Sequence, residues 1–347
     1  MDATQPANQT DTNADTPTTS EKWYQTKAFR RFRRSPLAIT GVSLLVFFLL
    51  VSIFAPVLTA PQIAEQYRGH SCARDLGLPR GDEAITALRN PLNPTFWRAI
   101  VAAPQSCLRV PRVSFSPIPQ PMSGENLMGI ASGGYDIFYG VVWGTRMAFY
   151  IGLLVSVISF GIGVLIGGAA GFFGGWVDNA LMRFTDTVFA FPNLLLAIVF
   201  VTVFGPGLTN ALVALSLVGW TTYARVLRGD ILRVRELEYV DGARALGATK
   251  RRLFFRHILP NALGSLVIIA SLDIGAVVLV ASTLAFLGLG AEVGTADWGQ
   301  MVSFARNYIQ QIQYWYISFW PGLAIVLFVL AWNLLGDAYR DIFDPRG

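Results

Sequence analysis

Long runs of apolar residues without charge restrict the fold of this chain more than any other feature of its sequence. Residues 37–58 and 147–173 contain no Asp, Glu, Lys or Arg. A membrane-spanning helix needs about 20 apolar residues to cross the roughly 30 Å hydrocarbon core of a bilayer. We therefore predict an all-α integral membrane protein with about six transmembrane helices. The other four runs are residues 188–204, 208–224, 262–291 and 315–335.

The overall composition supports a membrane class and argues against a nucleic-acid-binding protein. Hydrophobic residues make up 53% of the 347 residues and charged residues only 14%, a balance that soluble domains do not show. The net charge is +5, but the basic residues lie between apolar runs instead of on one soluble face. We expect a lipid membrane as a partner and no nucleic acid.

The positions of the basic residues predict the orientation in the membrane, because positive charges in short loops stay cytoplasmic. With the N-terminus inside, 18 of the 27 Lys and Arg residues fall in cytoplasmic segments. We expect both termini in the cytoplasm and a first helix that is retained instead of being cleaved as a signal peptide. The predicted parts are a cytoplasmic tail (1–36), the first transmembrane helix (37–58), an extracytoplasmic loop (59–140), a transmembrane core (141–335) with a cytoplasmic loop at 225–260, and a cytoplasmic end (336–347).

The two cysteines, Cys72 and Cys107, both lie in the predicted extracytoplasmic loop. In an oxidising compartment they are candidates for a disulfide bond. Unpaired thiols remain an alternative. A metal site with His70 is a weaker one, because two cysteines and one histidine do not complete a four-ligand zinc site.

Glycines recur every four residues in the second apolar run, at Gly163, Gly167, Gly171 and Gly175. This spacing puts small residues on one helix face, where another helix can approach closely. We expect this face to pack inside the chain, and a subunit interface is the alternative.

The cytoplasmic loop contains a short amphipathic pattern followed by a glycine. Tyr239, Val240, Ala243 and Leu246 recur at helical spacing, and Gly247 permits a left-handed turn that ends the helix. A second short helix follows, and Pro260 marks the entry to the next span. The pattern is typical of a helix that docks on a partner, although a helix lying on lipid headgroups would look similar.

This loop resembles the cytoplasmic loop of binding-protein-dependent ATP-binding-cassette (ABC) importers. Their pattern is Glu-Ala-Ala, three residues, Gly, nine residues, one apolar residue, one more residue and Leu-Pro. The matching positions here are Asp241, Gly242, Ala243, Gly247, His257, Leu259 and Pro260.

Further motifs extend the resemblance to the dipeptide and oligopeptide (peptide/nickel) branch, second-permease type, over nearly the whole chain from Arg30. They are Arg33-Arg34-Ser35-Pro36-Leu37-Ala38, Gly174-Gly175-Trp176-Val177-Asp178, Phe191-Pro192, Phe286-Leu287-Gly288-Leu289-Gly290, Trp298-Gly299, Pro321-Gly322 and Gly336-Asp337-Ala338-Tyr339-Arg340-Asp341-Ile342-Phe343-Asp344-Pro345.

The resemblance implies a type I ABC importer permease fold and a multi-pass permease subunit of the inner or plasma membrane, which transports peptides or related small solutes. It implies three kinds of partner besides lipid: a homologous second permease subunit, two ATP-binding cassette ATPase subunits and an extracytoplasmic solute-binding protein. The residues implied in coupling to the ATPase are Tyr239, Val240, Asp241, Gly242, Ala243, Leu246, Gly247, Leu259 and Pro260.

ATP hydrolysis is expected in the partner subunits and not in this chain. The sequence contains no Gly-Lys pair and therefore no phosphate-binding Gly-x-x-x-x-Gly-Lys-Ser/Thr loop. We expect no catalytic residues, no metal and no cofactor here, with ATP and Mg²⁺ bound by the partners.

Asp273 is the one acidic residue deep inside a predicted span, and an intramembrane charge is a functional candidate by default. It could line the pathway and meet the amino group of a peptide. The alternative is a carboxylate that a neighbouring helix or water satisfies.

Two other classes of membrane protein stay open at this point. A secondary transporter would need no ATPase, but it usually shows internal repeats with interrupted helices, and none is visible. A membrane scaffold would explain the spans but not the cytoplasmic helix-Gly-helix loop. Within the branch that this chain resembles, peptides are the leading candidate for the transported solute, and nickel chelates, opines and oligosaccharides are the alternatives.

Overall fold

The computed structural model describes residues 35–65, 71–79, 81–114 and 116–343. The predicted tail up to residue 34, with Arg33 and Arg34, lies outside these ranges, as do His70, Asp344 and Pro345. Within the described ranges the chain is helical, and its extended pairings are isolated β-bridges. The predicted all-α class is therefore confirmed.

The first helix leads directly into a small helical domain. Helix α1 (Pro36–Ile53) begins after Ser35, whose side chain accepts a hydrogen bond from the Ala38 amide. The segment predicted as a long loop then folds into what we call the loop domain (residues 54–136). Its helices are α2 (Ala55–Leu58), α3 (Ala60–Ala64), α4 (Cys72–Leu76), α5 (Asp82–Arg89) and α6 (Pro94–Val101).

The apolar core of the loop domain is continuous with buried residues of later parts of the chain, among them Trp143, Met301 and Tyr316. A disulfide joins Cys72 on α4 to Cys107 in the 3₁₀ turn that follows α6, Gln105–Leu108, with their Cα atoms 4.6 Å apart. The hydroxyl of Tyr139 donates to the Cys107 carbonyl at 2.7 Å. These contacts tie the domain to the start of the next long helix, which the sequence by itself did not show.

The remaining helices form the transmembrane core. They are α7 (Ile137–Phe173), α8 (Gly175–Phe189), α9 (Asn193–Phe204), α10 (Leu208–Arg235), α11 (Glu238–Ala245), α12 (Lys250–Leu253), α13 (Leu259–Phe286), α14 (Trp298–Ser303) and α15 (Tyr316–Phe343). A π-helical turn, Phe254–Ile258, joins α12 to α13.

Four stretches in the described ranges are long and apolar enough to cross a membrane, or five if a bent helix pair is counted as one span. The four are Pro36–Ile53, Ile137–Phe173, Lys250–Phe286 and Tyr316–Asp341. Helix α10, predicted as a span at 208–224, has 28 residues, but polar and charged residues lower its mean hydropathy. The number of spans by this measure is thus below the predicted six.

The bent pair corrects the span predicted at residues 188–204. Helices α8 and α9 meet at an angle of 84° around Phe191 and Pro192. The residue before a proline is disfavoured in a helix, which explains the break. Helix α9 alone has 12 residues, about 18 Å of helix, which is too short to cross a bilayer.

The glycine face of α7 packs against α10. A Cβ atom added at Gly163, Gly167 or Gly171 would lie within 2.3 to 2.6 Å of atoms of Tyr223, Ala224 or Ile231. Only glycine lets the two helices approach this closely. The expected packing inside the chain therefore holds for three of the four glycines, and Gly175 faces open space.

Candidate functional site

The predicted coupling loop connects α10 to α13 through a helix with a defined end. Helix α11 (Glu238–Ala245) is followed by Gly247 with φ +83°. The Gly247 amide donates to the Arg244 carbonyl at 3.0 Å and the Ala248 amide to the Ala243 carbonyl at 3.1 Å. These bonds satisfy the last carbonyls of the helix, and the left-handed conformation at Gly247 is the one that glycine adopts without strain.

The predicted apolar face of α11 divides between the protein interior and its surface. Val240 is 0% exposed and Ala243 is half-buried. Both contact a cluster formed by α10 and the π-helical turn. Tyr239 and Leu246, by contrast, are 45% and 91% exposed. The loop therefore uses Val240 as its anchor and presents Leu246 as an unburied apolar side chain.

Ala243 does not belong to the exposed docking face that the helical spacing suggested. It lies three residues after Val240, on the side of α11 that rests on the chain's own core. A bulky substitution at Ala243 would therefore disturb the loop itself. Asp241 and Arg244 form an exposed ion pair at 2.6 Å, which contributes little to stability.

Tyr239 links α11 to the start of α13. Its hydroxyl donates to the His257 carbonyl at 3.2 Å and accepts from Asn261 Nδ2 at 2.9 Å. Asn261 Nδ2 also donates to the His257 carbonyl at 2.6 Å. Leu259 is half-buried and Pro260 is exposed beside these groups. A movement of α11 would therefore be passed directly to the base of α13.

Two ion pairs hold α8 against α10, the helix that leads into α11. Arg228 donates from Nε to Asp178 Oδ1 at 2.9 Å and from Nη2 to Oδ2 at 2.7 Å. Arg225 pairs with Asp186 at 2.8 Å and lies over the Phe189 ring, 4.1 Å from its centroid. No spacing pattern in the sequence gives these residues a role, although Asp178 ends one of the family motifs.

Asp273 is engaged by a neighbouring helix. The Tyr223 hydroxyl on α10 donates to Asp273 Oδ2 on α13 at 2.8 Å. The carboxylate is thus partnered within the helix packing, as the alternative interpretation expected. A role of Asp273 in the transport pathway stays a prediction, and the contact with Tyr223 does not favour it.

A cleft of about 860 Å³ lies at the other end of the core from the coupling loop. Its walls are the turn between α9 and α10, one face of α7, and the segments around Arg109 and Glu292. The side chains of Arg109 and Glu292 form an ion pair. The Val110 amide donates to the Gly294 carbonyl at 2.8 Å and joins the last two segments. Polar groups in the lining include Gln105, Ser106, Arg146, Thr209 and Asn210.

Arg146 joins α7, α1 and the loop domain at the edge of this cleft. Its Nε donates to the Ser52 carbonyl at 2.6 Å, and its Nη2 donates to the carbonyls of Ile53 and Ile100, both at 3.1 Å. Ser52 and Ile53 lie at the carboxyl end of α1, where a cation is favourable. The described residues contain no cluster of three or more His, Cys, Asp or Glu side chains that could hold a metal ion.

Comparison with known proteins finds two family matches. Residues 163–346 match the family described as binding-protein-dependent transport system inner membrane component. Residues 24–73 match the N-terminal TM domain of oligopeptide transport permease C. The first match covers more than half of the chain and includes the coupling loop and α13.

Curated relatives are similar over most of the chain. A dipeptide transport system permease protein of Alkalihalophilus pseudofirmus is 33% identical over 92% of this chain and 89% of its own length. A glutathione transport system permease protein of Pectobacterium atrosepticum is 39% identical over 65% of this chain and 74% of its own. A nickel transport system permease protein of Escherichia coli is 40% identical over 64% of this chain and 79% of its own.

Proposed function

Since this chain belongs to the family of binding-protein-dependent transport system inner membrane components, we propose that it forms part of the translocation path for short peptides in an ATP-driven importer. The ATPase would reside in separate subunits that bind ATP and Mg²⁺. The relative with the longest match among those above is named for dipeptides. The nickel relative makes a chelated metal the alternative solute.

The observation that carries this proposal is the division of α11 into an anchored and an unburied side. Val240 fixes the helix to the core, and Leu246 remains 91% exposed next to the turn at Gly247. Apolar surface contributes about 25 cal/mol per Å² to stability only when it is buried. The exposed Leu246 side chain therefore adds nothing to the stability of this chain alone. We assign Leu246 and Tyr239 to the contact with an ATPase subunit.

The contact with the ATPase would drive transport through the helices that adjoin α11. Helix α10 enters the loop on one side, and α13 leaves it beneath the Tyr239 and Asn261 hydrogen bonds. Closure of two ATPase subunits would shift α11 in this subunit and in a homologous second permease. The cleft at the opposite end would then open alternately to a solute-binding protein and to the interior.

Substitution at Leu246 tests the proposal. Leu246→Glu places a charge at the proposed contact without disturbing the core, and Leu246→Met is the matched control that keeps an apolar side chain. The complex would be reconstituted in liposomes, and ATP hydrolysis and dipeptide uptake would be measured together. We expect the Glu variant to lose uptake coupled to hydrolysis and the Met variant to retain it. Normal coupled uptake by Leu246→Glu would refute the assignment.

A further inference from the structure

The apolar surface of the first membrane helix continues beyond its end onto the loop domain. Helix α1 has 18 residues, about 27 Å of helix, so its carboxyl end lies near the boundary of the hydrocarbon core. Exposed Leu50, Phe54 and Leu58 recur every four residues across that end. The Phe54 amide bonds to the Leu50 carbonyl and the Leu58 amide to the Phe54 carbonyl, so the three side chains form one stripe.

Helix α6 of the loop domain lies at the same level as the end of α1. One nitrogen of Arg146, Nη2, donates to Ile53 at the end of α1 and to Ile100 in the last turn of α6, both at 3.1 Å. The two helix ends are therefore neighbours. Helix α6 cannot rise far from the membrane boundary without breaking one of these bonds.

The two faces of α6 differ sharply in their surroundings. Phe96 and Ala99 are buried in the loop domain. Trp97 and Val101, on the other side, are 56% and 80% exposed, and Leu92 in the preceding turn is 90% exposed. Large apolar side chains on one face of a short helix beside a membrane are typical of interfacial helices.

The chemistry of Trp97 fits the region of the lipid headgroups. Its single donor, Nε1–H, already bonds to the Pro91 carbonyl at 2.9 Å, so the indole ring can leave water without losing a hydrogen bond. Tryptophan is enriched at membrane interfaces because its large ring suits the boundary between headgroups and acyl chains.

We propose that the exposed face of α6, formed by Trp97 and Val101, inserts into the lipid leaflet next to the end of α1, together with Leu92 in the turn before the helix. The occupant of this face is the bilayer and not another protein. This contact anchors the loop domain to the membrane. Residues 103–109, which follow α6 directly, include several that line the cleft, so the anchor holds one wall of the cleft in place.

Site-directed spin labelling of the complete transporter in lipid nanodiscs tests this anchor. Trp97→Cys and Val101→Cys place nitroxide labels on the proposed face. Leu127→Cys is the matched control, because Leu127 is an exposed apolar residue of the same domain outside α6. The unsubstituted chain, treated with the same reagent, gives the background. The accessibility of each label to oxygen, which concentrates in lipid, is compared with its accessibility to a water-soluble nickel chelate.

We expect the ratio of oxygen to chelate accessibility to be several-fold higher at positions 97 and 101 than at position 127. Equal ratios at all three positions would overturn the proposal, because the face would then be in water. Labels at 97 and 101 that are shielded from both reagents would also overturn it, because a protein partner would then cover the face. None of these results depends on the identity of the solute or on coupling to ATP.

Discussion

Arg228 and Asp178 form a two-point ion pair between α10 and α8, with both nitrogen-oxygen distances below 3 Å. The side chain of Asp178 is only 13% exposed, whereas that of Arg228 is 35% exposed, so the pair is partly shielded from water. Two-point pairing between arginine and a carboxylate fixes the relative orientation of the groups as well as their distance. Because α10 leads into the coupling loop, we expect this pair to make α8 follow the movements of α10.

Loss of this pair should weaken coupling more than assembly. We expect Asp178→Ala to cost about 1 to 2 kcal/mol of stability, between the values for exposed and buried pairs, and to lower uptake per ATP hydrolysed. The exchange Asp178→Arg with Arg228→Asp should recover part of both. Arg233→Ala is the control, since among the described residues Arg233 forms its ion pair with Asp230 on its own helix, at 2.9 Å. Equal losses for Asp178→Ala and Arg233→Ala would contradict this role.

The two glycines of the coupling loop should respond in opposite ways to substitution. Gly247→Val puts a β-branched residue at φ +83°, where such residues are strained, and should misdirect the segment that follows. Gly242→Ala adds a methyl group in open space and should stabilise α11 by up to about 1 kcal/mol. Hydrogen exchange of residues 238–258 measures both effects. Unchanged exchange in Gly247→Val would show that the turn does not need its glycine.

We expect Cys72 and Cys107 to be bonded in protein taken from its native compartment. The bond closes a loop with a sequence separation of 35, which the chain-entropy model values at about 3 to 4 kcal/mol. Mass spectrometry of unreduced peptides should find the cross-linked pair, and reduction should lower the melting temperature. Complete alkylation of both thiols without reductant would rule the bond out.

Stability of the segment around α14 should depend on pH through Asp297. Burial raises the pKa of this carboxyl from 3.8 to about 6, although hydrogen bonds from the Gln300 and Gly299 amides oppose the rise. The folded state therefore retains a proton that the unfolded chain gives up, and stability falls as the pH rises from about 4 to 6.

Asp297→Asn should reduce this dependence, because asparagine can still cap α14 but does not titrate. Melting temperatures of the two proteins between pH 4 and pH 7, about the range of the shift, provide the measurement. Asp136, whose pKa burial also raises to about 6, should leave some dependence in the variant. Identical slopes for both proteins would exclude Asp297 as a source.

The orientation predicted from the basic residues can be tested by labelling. A cysteine at Arg244, in the coupling loop, should react with an impermeant reagent only after cells are permeabilised, and a cysteine at exposed Leu127 should react in intact cells. Both would be introduced with Cys72 and Cys107 replaced by serine. Labelling of the Arg244 position in intact cells would reverse the proposed topology.

The sequence determined the class and the family. Apolar runs of about 20 residues have few alternatives to a membrane helix, because an unpaired backbone group in lipid costs several kcal/mol. The spacing of Asp241, Gly242, Ala243 and Gly247 indicated a resemblance to the importer family, and the family match confirms that resemblance. These features depend on local composition and spacing, which a linear sequence displays directly.

Only the tertiary structure decided which side of each element is buried. It placed Val240 of α11 inside and Leu246 at the end of α11 outside, and it broke the predicted span at Pro192. It folded a loop without periodicity into a domain whose core is shared with the transmembrane part of the chain. It also brought Asp178 to Arg228, which lie 50 residues apart. Such contacts depend on how separate helices pack, because the energy of an apolar or charged group is set by its neighbours in space and not by its neighbours in the chain.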